Sequence, residues 1–317
     1  MTRYDDHCQT ITTKIVAAIE ALDPNEPVHM PWHRMGRSWA PRNAQTGNYY
    51  GGSNIIALAA EAADTENHPQ WDSPLWATYK QWADIGGQVR KGETSTHIVK
   101  WVPKRRNQHD NDDRPRTPDG EPMMTLDELA PRLVPKVYSV FNVAQIDDWT
   151  PPEPAELVDH APIDAAETWI TSTGATITYG HDHARYIPSQ DRIEVPELGQ
   201  YKDPIDHYAV VCHELVHWSG HTTRLDRTFG ERFGDDAYAA EELVAELGAA
   251  FTCARLGLTN NPRADHAAYL AHWLNILKAD PTALFATAAA AQKAVGFIET
   301  LAHEPAAETT VPTRRAA

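Results

Sequence analysis

The chain has 317 residues, of which 42% are hydrophobic, and a formal net charge of −16; that is length enough for two packed domains. It holds no apolar run long enough to span a bilayer, its first residues lack a signal core, and its three scattered cysteines exclude a disulfide framework, which together point to a reducing cytoplasm. Acidic proteins are poor non-specific DNA binders, so any nucleic-acid contact must be local; residues 1–146 carry 16 Lys and Arg against 18 Asp and Glu, whereas residues 147–317 carry 12 against 26.

Residues 8–22 read as an amphipathic helix with Ile11, Ile15, Ala18, Ile19 and Leu22 on one face. A loop-rich stretch from Pro24 to Gly52 follows, and Asn54 then caps a short apolar helix to about Ala63. Ser73-Pro74 opens a further predicted helix carrying Leu75, Trp76, Tyr79, Trp82 and Ile85, with Trp76 and Trp82 as core residues. Thr96–Val102 and Lys136–Asn142 read as strands joined by a polar, proline-rich loop. The acidic, proline-rich stretch that follows is a semi-rigid linker. The second half reads as a helix at 163–172, short strands at 175–179, 184–187 and 192–195, and helices at 204–219, 239–256, 265–278 and 281–301. The expected fold class is α+β in two domains: an N-terminal mixed α/β domain (1–146), a linker (147–160), a C-terminal domain with a small sheet packed on helices (161–302), and a disordered tail (303–317). Cys212 and Cys253 fall on predicted buried helix faces, as inert core thiols.

His213-Glu214-Leu215-Val216-His217 is the motif that carries chemistry. Two histidines four residues apart share one helix face, so both imidazoles can reach one metal ion. Glu214 sits where it can act as the general base. A catalytic zinc site needs a third protein ligand. The best candidate is Glu242, in the alanine- and leucine-rich run Ala240–Phe251; Glu246, one turn on, would accept a hydrogen bond from a ligand histidine. Glu246 itself and His221 compete as third ligands, although Gly220 argues that the helix stops before His221. Glu241 reads as part of a solvated acidic face. The strand near Arg192–Val195 is the expected edge for pairing an extended peptide, and His221, Tyr208 and Tyr238 are candidates to stabilise an oxyanion.

Residues 1–146 hold twelve aromatic residues, including six of the ten tryptophans. Several lie in loop-rich sequence beside cations: Trp32-His33-Arg34, Trp39 before Arg42-Asn43, and Tyr49-Tyr50, with a basic turn at Arg90-Lys91. Single-strand binders combine such stacking rings with backbone-tracking cations. The alternative for each ring is a place in the core.

The ordered series of motifs resembles the ArdC-type antirestriction proteins of plasmids and phages. The stretches that carry the resemblance are Pro41–Asn54, Trp76–Trp82, Gly86–Glu93 and Val140–Gln145, then Asp191-Arg192-Ile193 with Pro196, His213–His221 with Arg224-Leu225, and Glu241–Phe251. The resemblance implies an N-terminal single-stranded-DNA-binding domain, also found fused to conjugative primases, and a zincin-like metallopeptidase domain. It implies Zn2+ or another divalent metal on His213, His217 and Glu242, with Glu214 as catalytic acid/base and Glu246 and His221 in support. The DNA-binding candidates are then Trp32, Trp39, Arg42, Asn43, Tyr49, Tyr50, Asn54, Lys80, Arg90 and Lys91. Expected partners are single-stranded DNA and a protein or peptide substrate, with no membrane. Two other readings stay open: a DNA-binding protein with a purely structural metal, and a general cytosolic metallopeptidase.

Overall fold

The structure, a computed structural model, describes residues 2–20, 40–64, 71, 73–103, 133–150, 161–201, 203–229, 236–258 and 266–303. Trp32, Trp39, the loop after Pro103, residues 151–160 of the linker and the tail beyond residue 303 lie outside them. The architecture is α+β. In the N-terminal half, helix α1 (Arg3–Glu20) and helix α2 (Ser53–Ala63) accompany a four-stranded sheet built from β1 (Arg42–Asn43), β2 (Leu75–Ala77), β4 (Thr96–Pro103) and β5 (Leu133–Asn142), in the order β1-β2-β5-β4. A short helix α3 (Tyr79–Asp84) follows β2, and β3 (Gln88–Val89) pairs with β6 (Ile146–Asp147).

Here the structure corrects two sequence expectations. Leu75–Ala77 is a strand, not the start of a helix: it is buried throughout and paired on both sides, to β1 and β5. The helix begins only after Thr78, whose side chain caps it in a reciprocal box with Gln81. Asn54 is not the N-cap of α2. That position belongs to Gly52, in a left-handed conformation (φ 57°) that suits glycine. The Asn54 amide instead brackets the backbone of Val99 on β4, donating to its carbonyl and accepting from its N–H at 2.8 Å each. Trp76 and Trp82 are fully buried, as expected.

In the C-terminal half, helix α4 (Ala161–Ser172) precedes a small sheet of β7 (Ile177–Thr178), β8 (Arg185–Ile187) and β9 (Arg192–Glu194), in the order β7-β9-β8. Four helices complete it among the described residues: α5 (Pro204–Ser219), α6 (Asp236–Leu256), α7 (His266–Ala279) and α8 (Ala283–His303). The largest apolar core runs through these helices and takes in Cys8, Ile11, Ile15 and Ile19 of α1 and Ile55 and Ile56 of α2. The two halves are also joined by hydrogen bonds, Thr12 to the Pro281 carbonyl at 2.7 Å and the Gly52 N–H to Gln292 at 3.0 Å. All three cysteines are free and buried, and no described helix is long and apolar enough to cross a membrane.

Candidate functional site

Helix α5 starts where Asp203 accepts a hydrogen bond from the Ile205 N–H and Pro204 fills the first turn. It ends at Ser219, and almost all of its residues from His207 onward are buried. Gly220 follows, but with a right-handed φ of −80°. Its missing side chain serves another purpose: a Cβ there would meet the Arg227 guanidinium at 2.9 Å and the Phe229 ring at 2.8 Å. Helix α6 lies against α5 by a similar device. A Cβ on Gly248 would stand 2.6 Å from a methyl of Val216, so glycine lets the two helices close together.

That closeness sets three ligand atoms around one point. His213 Nε2 and His217 Nε2 are 3.1 Å apart. The Glu242 carboxylate stands 3.5 Å from the first and 3.4 Å from the second. Ligands held about 2.05 Å from a tetrahedral ion sit about 3.3 Å from one another, so these spacings suit a divalent cation. These three residues are the group that could hold a metal among the described residues. His221 is not in it; it lies two residues beyond the helix, and its Nδ1 pairs with Thr223 Oγ1 at 2.8 Å.

The carboxylate that holds His217 by a hydrogen bond to Nδ1 is Glu241, not a solvated acid as its sequence position suggests. It is buried, and its Oε1 lies 3.2 Å from His217 Nδ1. Arg227 neutralises it with two hydrogen bonds, Nε to Oε2 at 3.0 Å and Nη2 to Oε1 at 2.8 Å, while Nη1 reaches Ser219 Oγ at 2.9 Å. Glu246 is also buried, with its carboxylate 3.9 Å from His213 Nδ1, beyond hydrogen-bond length. Arg227 was invisible in the sequence; the small residue at Gly220 was the one signal that something bulky would lie over the helix end.

Charge shapes the centre. Burial alone would make His217 a weaker base, but the hydrogen bonds to Glu241 and Glu242 and the charges of Glu242 and Glu214 raise its pKa to about 10. Glu242 is pushed up by burial and pulled much further down, well below the usual carboxylate range, by His213 and His217. Glu241 is likewise lowered, against its burial, by His217 and Arg227.

A second network ties the small sheet to the end of α5. Arg224 bonds the Asp191 carboxylate with both Nη atoms, donates through Nε to the Trp218 carbonyl at 2.7 Å, and lies 4.0 Å over the Trp218 ring. Asp191 occupies a left-handed turn (φ 47°), and Tyr186 donates to it at 2.9 Å. The strand expected to offer a peptide edge, β9, is in fact central: β7 and β8 occupy its two sides. Tyr208 is buried, and its hydroxyl donates to Glu167 at 2.7 Å, which removes it as an oxyanion donor.

The DNA-binding candidates divide by what their side chains do. Asn43 Oδ1 accepts from the backbone of Gln45 and Thr46, and its Nδ2 donates to Tyr50 and Gln81. The half-buried Tyr50 in turn donates a hydrogen bond from its hydroxyl to the Trp76 carbonyl. Asn54 is held on β4, as described. Arg90 is tied to Glu93 and to the Ala144 carbonyl. Arg42, Tyr49, Lys80 and Lys91 are exposed.

The fold and centre define a two-part protein whose second part is a metallopeptidase-type domain. The family profile described as a zincin-like metallopeptidase matches residues 164–293, and that of the N-terminal domain of anti-restriction factor ArdC matches residues 5–141. The crystal structures of the antirestriction ArdC protein from plasmid R388, metal-free and Mn(II)-bound, are similar with TM-scores of 0.71 and 0.70 and 32% identity; the first covers 93% of this chain and 97% of that one, the second 94% and 98%. The chain is also 39% identical to the uncharacterised protein y4eC of Sinorhizobium fredii, over 91% of this chain and 90% of the other. A DNA primase TraC of Escherichia coli is 38% identical over 86% of this chain, which spans only 25% of the primase. The chain belongs to the ArdC family of antirestriction proteins.

Proposed function

We propose that this protein is an antirestriction factor that binds single-stranded DNA through residues 1–146 and carries a zinc-dependent peptidase site in residues 161–302, with 147–160 as the joint. The observation that supports it most is the convergence of His213, His217 and Glu242 from two helices, with Glu214 between the histidines. When bound, the metal lowers the pKa of a coordinated water towards 7 and polarises a substrate carbonyl. Glu214 takes a proton and returns it to the leaving amine. Glu241 orients His217, and Arg227 holds Glu241 in its ionised form; Glu246 supports His213 at longer range. An extended peptide is received along β8, an outer strand of the small sheet whose Tyr186 is fixed through Asp191 and Arg224.

Glu214→Gln tests this reading. Metal content, measured on the purified protein, should stay at one ion per chain, while casein or peptide hydrolysis should fall by about 10²- to 10⁴-fold. Unchanged turnover rules out the role of Glu214. A second reading, a metal that only staples α5 to α6, is favoured by the burial of the centre: His213, Glu214, His217 and Glu242 are all 3–9% exposed. It predicts no hydrolysis by the metal-replete wild type, and a lower melting temperature after chelation.

A further inference from the structure

The ribbon formed by β4 and β5 carries cations without acids. Its strands, Thr96–Pro103 and Leu133–Asn142, contain Lys100 and Lys136 and no Asp or Glu, in a chain with 44 acidic residues against 28 Lys and Arg. The register places Lys100 directly opposite Lys136. Because Asn54 takes both backbone groups of Val99, the next pair along, Lys100 with Lys136, is the kind that exchanges ladder hydrogen bonds. Its Cα atoms are about 5.5 Å apart and both side chains leave the same face. Both lysines are exposed. Neither has an acidic partner among the described residues; Lys136 Nζ lies 5.1 Å over the ring of Tyr138, on that same face. Like charges directly opposite destabilise a sheet, so the free fold carries a cost here that a bound polyanion removes.

We propose that the β4–β5 ribbon is a contact site for single-stranded DNA, with Lys100 and Lys136 on backbone phosphates and Trp101 as a stacking ring. The proposal rests on the DNA-binding reading above and gives it a place outside the motifs that suggested it. Trp101 is 52% exposed, and its indole is met edge-on by Tyr4 at 5.7 Å. It projects from the face opposite Lys100, and β4 is the outer strand of its sheet. A single strand crossing that edge meets an ammonium group on one side and a ring on the other. A duplex keeps its bases stacked on each other and can use only the lysines. Stacking on an exposed ring tolerates any base, which suits a factor that receives DNA of arbitrary sequence.

Anisotropy titration of the full chain with labelled oligothymidylate at several salt concentrations tests this. The slope of log affinity against log salt should shrink by about 1.4 in Lys100→Ala/Lys136→Ala, at about 0.7 per lost phosphate contact. Lys100→Glu should weaken binding further while the melting temperature of the DNA-free protein holds or rises, since a Glu–Lys pair replaces the repulsion. Trp101→Ala should weaken oligothymidylate and leave a duplex of equal length unaffected. An unchanged slope in the double variant, with wild type binding normally, overturns the assignment. So does a Lys100→Glu protein whose binding and melting temperature fall together, or an equal loss on duplex in Trp101→Ala. If the wild type binds no oligonucleotide even at low salt, the DNA-binding reading itself fails and takes the ribbon with it.

Discussion

In the helical half, Arg227, Glu241 and His217 form a chain of contacts whose far end, His217 Nε2, meets His213 Nε2 and the Glu242 carboxylate. In the sheet half, Gln81, Asn43 and Tyr50 form a comparable chain whose far end is the backbone carbonyl of Trp76. Both are polar networks among conspicuous residues, yet one ends in a cluster of two imidazoles and a carboxylate that could share a metal, and the other ends on the backbone of its own fold. What separates the two is where each network ends: the His217 chain ends among other potential metal ligands, whereas Asn43, Tyr50 and Asn54 end on groups that hold the fold. Arg42, Tyr49, Lys80 and Lys91 keep their side chains exposed.

The strongest test of this contrast is the pH dependence of metal binding. In the metal-free protein His217 stays protonated up to about pH 10, held by Glu241, Glu242 and the charge of Glu214 against its burial. Binding a metal must expel that proton. Apparent affinity should therefore rise about tenfold per pH unit from near 6.5 towards 10, as read by competition with a coloured chelator. The sign for stability is opposite. A raised pKa in the folded state gives stability that is whole below the unfolded value near 6.5 and gone above about 10, so the chelated protein should melt at progressively lower temperature across that window. A flat affinity profile would mean that the carboxylates do not hold His217 as a cation.

A smaller effect is expected one contact further out. Glu241→Gln keeps the shape of the side chain and removes its charge, so Arg227 loses its anion and His217 its strong acceptor. Metal affinity should drop by about 10- to 100-fold, while Glu246→Gln, 3.9 Å from His213, should cost less. Equal losses in the two variants would erase the distinction between the bonded acid and the distant one.

The sequence made some of this legible and hid the rest for physical reasons. Helix α5 was bounded correctly at Pro204 and Ser219, because an N-cap, a proline and a terminal glycine are local signals. Glu242 stands out in the sequence because it lies one helical turn from Glu246 in an alanine- and leucine-rich run. Glu241 reads as solvated because its partners, His217 and Arg227, come from other segments of the chain, and only tertiary packing brings them to it. Strand β2 was hidden in a run, Leu75 to Trp82, whose apolar spacing also fits a helix. The Thr78-x-x-Gln81 pair, a capping box, was the readable sign that the helix starts later. The central position of β9 could not be read at all, since strand order is a property of pairing rather than of any segment.

The least costly pair of variants puts the contrast inside a single loop. Asn43 and Tyr49 are six residues apart, and both sit in a stretch that resembles a DNA-binding motif. Asn43→Ala removes an acceptor for two backbone N–H groups and a donor to Tyr50, so it should lower stability by about 1–3 kcal/mol in a denaturant melt. Any loss of oligonucleotide affinity should then disappear at temperatures well below its melting point. Tyr49 is 51% exposed, so Tyr49→Ala should leave the melt within about 0.5 kcal/mol of wild type. It should nevertheless weaken oligothymidylate binding by about 1–3 kcal/mol, the worth of one stacked base. If Asn43→Ala melts like wild type but binds poorly, its amide reaches the DNA after all, and a closed hydrogen-bond network is no guide to which side chains a nucleic acid can recruit.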